Sequence, residues 1–107
     1  MKIVITSTGD QLSSKMDDRF GRAPWFCVHD TNTGENSFIA NPFVDSMGGA
    51  GTKTSEMVAE IGAAKIISGH FGPKAKTVLE KFDIQLIETN ELLTIEELIK
   101  KSTESLW

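Results

Sequence analysis

Gly48, Gly49 and Gly51 fall within SMGGAGTKT (residues 46–54), just ahead of a helical pattern. Glycines in such a loop let the backbone approach a ligand closely, and the N–H groups that open a helix favour an anion. The stretch is not a nucleotide P-loop, which needs Gly, four residues, then Gly-Lys-Ser/Thr. Here Thr52 separates Gly51 from Lys53, and Ser46 stands where the first glycine belongs. Composition alone leaves two readings, an anion cradle or a tight entry to a helix. Asn41 before the loop and Lys53 after it tilt toward binding.

His70 lies between Gly69 and Phe71, with Gly72 following, in a loop rather than on an apolar face. A neutral imidazole there ligates a metal, and an imidazolium pairs with an anion, but no partner ligand sits nearby in sequence. Arg19 and Arg22 bracket Phe20-Gly21 beside Asp17 and Asp18. Arginine forks suit phosphate, carboxylate, oxo- or thio-anions. The same residues equally describe an Asp–Arg cluster pinning a long loop, with Phe20 as its anchor in the core. Cys27, inside the strand-like run Trp25 to His29, reads as a small buried hydrophobe, with nothing beside it to lower its pKa.

Catalytic alternatives lack parts. A ribonuclease H-type nuclease needs carboxylates around Mg²⁺, commonly one on the first strand, whereas Ile-Val-Ile-Thr-Ser carries none. There is no G-x-S-x-G elbow and no CxxC pair. Asp10 and His70 would make an acid–base couple, yet no nucleophile accompanies them.

The 107 residues suit one domain, 1–107, with a single core, and 39% apolar with 24% charged content is ordinary for a globular chain. A formal charge of −4 argues against general affinity for nucleic acid or anionic membranes, so any anion site must be local. One cysteine excludes an internal disulfide and a self-contained multi-cysteine metal site. The apolar run near the N-terminus is too short for a signal-peptide core and no window reaches membrane-span length, which makes a cytoplasmic location the expectation.

These residues need elements to hold them. Ile3 to Ile5 reads as a strand buried on both faces. A long polar connection follows, then Trp25 to His29 and Ser37 to Ala40 as a hairpin across Asp30-Thr31-Asn32-Thr33-Gly34. Met57, Val58 and Ile61 mark a helix ended by Gly62, and Ala64 to Ser68 the next strand. Pro73 opens a helix with Ala75, Val78, Leu79 and Phe82 on its inner face. Ile84 to Ile87 is the last strand, and Thr94-Ile-Glu-Glu97 is a capping box for a final helix with Ile95, Leu98 and Ile99 inward. The order β-β-β-α-β-α-β-α predicts an α/β fold on one five-stranded mixed sheet. Right-handed crossovers bring the loops after the first, third and fourth strands to one edge, where open α/β sheets place their ligands.

The stretches DDRFGRAPWF (17–26), NPF with GGAG (41–51), ISGHFGPKA (67–75) and TIEELI (94–99) together resemble the dinitrogenase iron–molybdenum cofactor biosynthesis family, the NifX/NafY type also found at the NifB C-terminus. The likeness spans almost the whole chain. It implies a ribonuclease H-like fold and a non-catalytic carrier of an iron–sulfur or iron/molybdenum–sulfur cluster or its precursor, exchanged with cofactor donor and acceptor proteins. The chain resembles stand-alone members: nitrogenase-linked members tend to have histidine before Phe-Gly in the first motif, where this chain has Arg19. The candidate cluster-binding set is Arg19, Arg22, Gly48, Gly49, Gly51, Gly69, His70 and Gly72, with His70 as the metal ligand. The rival readings are an enzyme or sensor for a phosphorylated small molecule or nucleotide at the same crevice, and a protein–protein adaptor using Trp25 and Trp107.

Overall fold

Ile3, Val4 and Ile5 are fully buried because β1 (Lys2–Ser7) is the central strand of the sheet. The computed structural model describes residues 1–91 and 93–104. β2 (Trp25–Asp30) pairs antiparallel with β1, and β3 (Asn36–Ala40) antiparallel with β2. Then follow α1 (Ala50–Ile61), β4 (Ala63–Ser68), α2 (Pro73–Glu80), β5 (Gln85–Glu88) and α3 (Ile95–Thr103). The strand order is β3-β2-β1-β4-β5, with β4 parallel to both β1 and β5. Only β2 runs against the others, which is the mixed sheet of a ribonuclease H-like fold.

Alternation along the strands sorts two cores, since successive side chains point to opposite faces. Val4, Phe26, Val28 and Ile66 face α1 and α2, meeting Val58, Ala75 and Leu79. Ile3, Ile5, Cys27 and Ile67 face α3, meeting Ile95, Leu98 and Met16. Phe20 is buried as the sequence predicts, its ring 5.2 Å from Phe71 and 5.8 Å from Phe26. That aromatic group ties the long β1–β2 loop to the loop after β4.

The helix boundaries have local causes. Gly49 enters α1 at φ 69°, and Gly62 leaves it at φ 92°, a left-handed conformation that glycine adopts without a Cβ penalty. Pro73 opens α2. Thr94 and Glu97 form the reciprocal capping box of α3. Phe82 departs from expectation: α2 stops at Glu80, and Phe82 stands 55% exposed. Its N–H bonds to the Leu79 carbonyl three residues back, and the next residue, Asp83, takes φ 56°, so the chain tightens after Glu80 and turns away from the helix directly after Phe82. No helix among the described residues is long and apolar enough to cross a membrane.

Candidate functional site

The three loops meet at the carboxyl ends of the parallel strands. Phe20 N–H donates to the His70 carbonyl at 3.0 Å, and Arg19 and His70 are partners in an isolated parallel bridge. A Cβ on Gly21 would stand 3.1 Å from Gly51 Cα, so the first loop touches the start of α1. Beneath them the buried Thr6 hydroxyl donates to the Asp17 carbonyl at 2.6 Å and lies 3.0 Å from Ser68 Oγ. Beside these contacts lies an open crevice of about 480 Å³.

Its walls are cationic and its body is apolar. Arg19, Arg22, His70 and Lys74 line it together with Phe20, Pro73 and Ala75, and Gly21, Gly51 and Gly72 complete it. Among the described residues the lining holds no carboxylate, amide or hydroxyl side chain. Arg19 is largely exposed and lies 3.5 Å from Asp17 Oδ1, so the expected Asp–Arg contact exists alongside the crevice position. Arg22 donates from Nη1 to the carbonyls of Val44 and Ser46, both at 2.7 Å, which pins the 41–49 loop while Arg22 still borders the crevice.

The structure redistributes the predicted site residues. Arg19, Arg22, Gly51, His70 and Gly72 come together. Gly48 and Gly49 are exposed and do not line the crevice; Gly49 answers to the turn into α1. Gly69 answers to packing, because a Cβ there would come within 2.7 Å of Asp18 Cα. The Phe71 N–H is taken by Glu88 Oε1 at 3.3 Å, so that amide is not offered to a ligand. Asn41 is buried, donating to the carbonyls of Gly21 and Ala23 and accepting from Phe43 N–H, which makes it a stitch between loops. Lys53 and Asp10 are exposed and outside the lining. Trp25 is half-buried at the same end of the sheet; Trp107 lies outside the described residues.

Two contributors were missed from sequence. Lys74, second residue of α2, adds a third fixed cation to Arg19 and Arg22, and its signal was its position directly after Gly72-Pro73. Glu88, at the end of β5, braces the His70 loop through Phe71. The Lys76 ammonium 3.2 Å away, and then the Phe71 amide, hold its carboxyl below the ordinary value. No local pattern marks Glu88.

Metal chemistry at the crevice is constrained by donors. No group of three His, Cys, Asp or Glu side chains among the described residues could hold a metal ion. His70 is the single imidazole at the crevice. Cys27 is buried in β2 on the α3 face, and burial pushes its thiol up to about 12. Among the described residues the crevice therefore offers a metal ion a single imidazole ligand.

Solved structures share this fold. The apo orange protein from Desulfovibrio gigas superimposes with a TM-score of 0.92 at 30% identity, over 97% of this chain and 88% of that one. A NifB-like protein from Thermotoga gives a TM-score of 0.83 at 29% identity, over 96% and 87%. An uncharacterized protein of Methanocaldococcus jannaschii is 31% identical over 103 residues, 94% of this chain and 83% of the relative. The family described as dinitrogenase iron-molybdenum cofactor matches residues 1–105. The chain belongs to that dinitrogenase iron–molybdenum cofactor family.

Proposed function

We propose that this protein is a non-catalytic carrier of an anionic metal–sulfur cluster, iron–sulfur or iron/molybdenum–sulfur, or of its precursor, passed between donor and acceptor proteins of metallocofactor assembly. Family and structural neighbours point to a small metal-cluster or cofactor-related protein. The observation that carries the finer reading is the crevice lining: three cationic side chains, one imidazole and apolar surface, with no carboxylate, amide or hydroxyl acceptor among the described residues. A nucleotide or sugar phosphate presents hydroxyl and amino donors, and a site that reads them matches those donors with acceptors, since buried polar groups left unpaired cost binding energy. A sulfide-bearing cluster presents acceptors and a polarizable surface only. Such a cargo brings its own sulfides, because the protein offers no accessible thiolate.

Within this reading Arg19, Arg22 and Lys74 neutralise the cargo and His70 is the side chain able to ligate a metal at its edge. No serine, threonine or cysteine lies in the lining among the described residues, which supports binding as the chemistry proposed there. Anaerobic reconstitution with iron, molybdate and sulfide, followed by desalting, is expected to leave a charge-transfer spectrum on the protein, reduced in His70→Ala. If no chromophore survives desalting while a nucleotide or sugar phosphate raises the melting temperature, the crevice serves a phosphorylated ligand instead. Full occupancy in His70→Ala would remove His70 from the ligand set and leave the carrier reading standing.

A further inference from the structure

Gly72 is a glycine that neither the backbone nor its neighbours require. Its φ of −67° and ψ of 159° form an extended conformation open to any residue. A Cβ built on it meets no heavy atom within 4 Å. Gly49 and Gly62 differ, being held at positive φ, and Gly69 differs in facing the Asp18 backbone. Gly72 is also the N-cap of α2 and makes no side-chain capping bond. At that position Ser, Thr, Asn or Asp serves a helix at least as well as glycine. Helix stability therefore does not call for glycine here.

Gly72 lines the crevice between His70 and Lys74. A Cβ there would enter open space, and the crevice that Gly72 borders has a volume of about 480 Å³, far more than a mononuclear oxoanion fills. We propose that Gly72 is a specificity-determining residue that sets the size of cargo the crevice accepts, keeping it open to a polynuclear anion. This rests on the carrier reading above. Glycine is an accepted N-cap, so the helix is compatible with Gly72 but does not single it out from the polar caps, and its place on the crevice wall is what distinguishes it.

The test is a size series in the full chain: Gly72→Ala, Gly72→Ser and Gly72→Val. Each variant is melted without cargo, then reconstituted anaerobically with iron, molybdate and sulfide and desalted. Chromophore retention is expected to fall as side-chain volume rises, to a tenth or less of the parent in Gly72→Val. Melting temperature is expected to follow a different order, with Gly72→Ser at or above the parent because it gains a cap. Parent-level retention in a folded Gly72→Val overturns the proposal, as does retention that tracks melting temperature instead of volume. If the parent retains no chromophore the carrier reading falls and the size gate falls with it, whereas undiminished binding across the series removes the gate alone.

Discussion

Cys27 has no exposed surface, and its thiol is raised to about 12 by the loss of hydration that would otherwise favour thiolate. The native protein should resist alkylation at mildly alkaline pH, whereas denatured protein should label fully; rapid native labelling would show that β2 opens. The linkage has a definite sign. With the folded pKa above the ordinary 9.0, the contribution to stability is intact below 9.0 and is lost between 9.0 and about 12. The loss runs at up to about 1.4 kcal/mol per pH unit, which urea unfolding at stepped pH would measure. The structural role of Cys27 was legible from its place in an apolar run. The role of Asn41 was not, because its partners are carbonyls at Gly21 and Ala23, and only the folded loops bring them near. Arg22 is intermediate: its charge marked it, but its hold on Val44 and Ser46 depends on backbone positions more than twenty residues away.

Among the elements, α3 was the most readable because its start is written in adjacent residues. Thr94 Oγ1 accepts from the Glu97 N–H at 3.2 Å, and Glu97 Oε1 accepts from the Thr94 N–H at 3.1 Å. Replacing Thr94 with Ala should cost about 1 kcal/mol, seen as a lower urea midpoint with an unchanged slope. The bonds from the Thr94 amide and hydroxyl also hold Glu97 below its ordinary pKa, so this support is present at neutral pH and fades as acid carries pH down through the folded value. α2 shows the limit of periodicity. Ala75 and Leu79 are buried and Val78 half-buried, in keeping with the pattern, yet Phe82 sits beyond the last helical turn. Spacing identifies a face only while the helix continues, and nothing in Glu80-Lys81-Phe82 announces that it ends there.

At the scale of the molecule, an acidic chain of formal charge −4 presents a crevice lined by Arg19, Arg22 and Lys74. Recognition of an anion there should weaken as salt rises, because partly exposed cations are screened over about 10 Å at 0.1 M ionic strength. Equilibrium dialysis of reconstituted protein from low to high salt should show a several-fold loss of affinity; a flat response would mean that contact and ligation, not charge, hold the cargo. The sheet order was legible because crossover handedness and the hairpin leave few arrangements of these strands. The identity of the lining was less so. Convergence of loops follows from topology, but which glycines face the cavity and which serve a turn depends on the left-handed backbone at Gly49 and on one close approach at Gly69.

The crevice draws Arg19 and Arg22 from before β2, Gly51 from α1, and His70 with Gly72 to Ala75 from the segment after β4. Chains are synthesised from the N-terminus, so a ribosome-bound chain complete only through α1 carries two of the fixed cations and none of the opposite wall. Half a wall encloses nothing. Under the carrier function proposed above, loading would have to wait until β4 has paired beside β1 and α2 has docked, so the cargo would meet a finished crevice and not a partly made one.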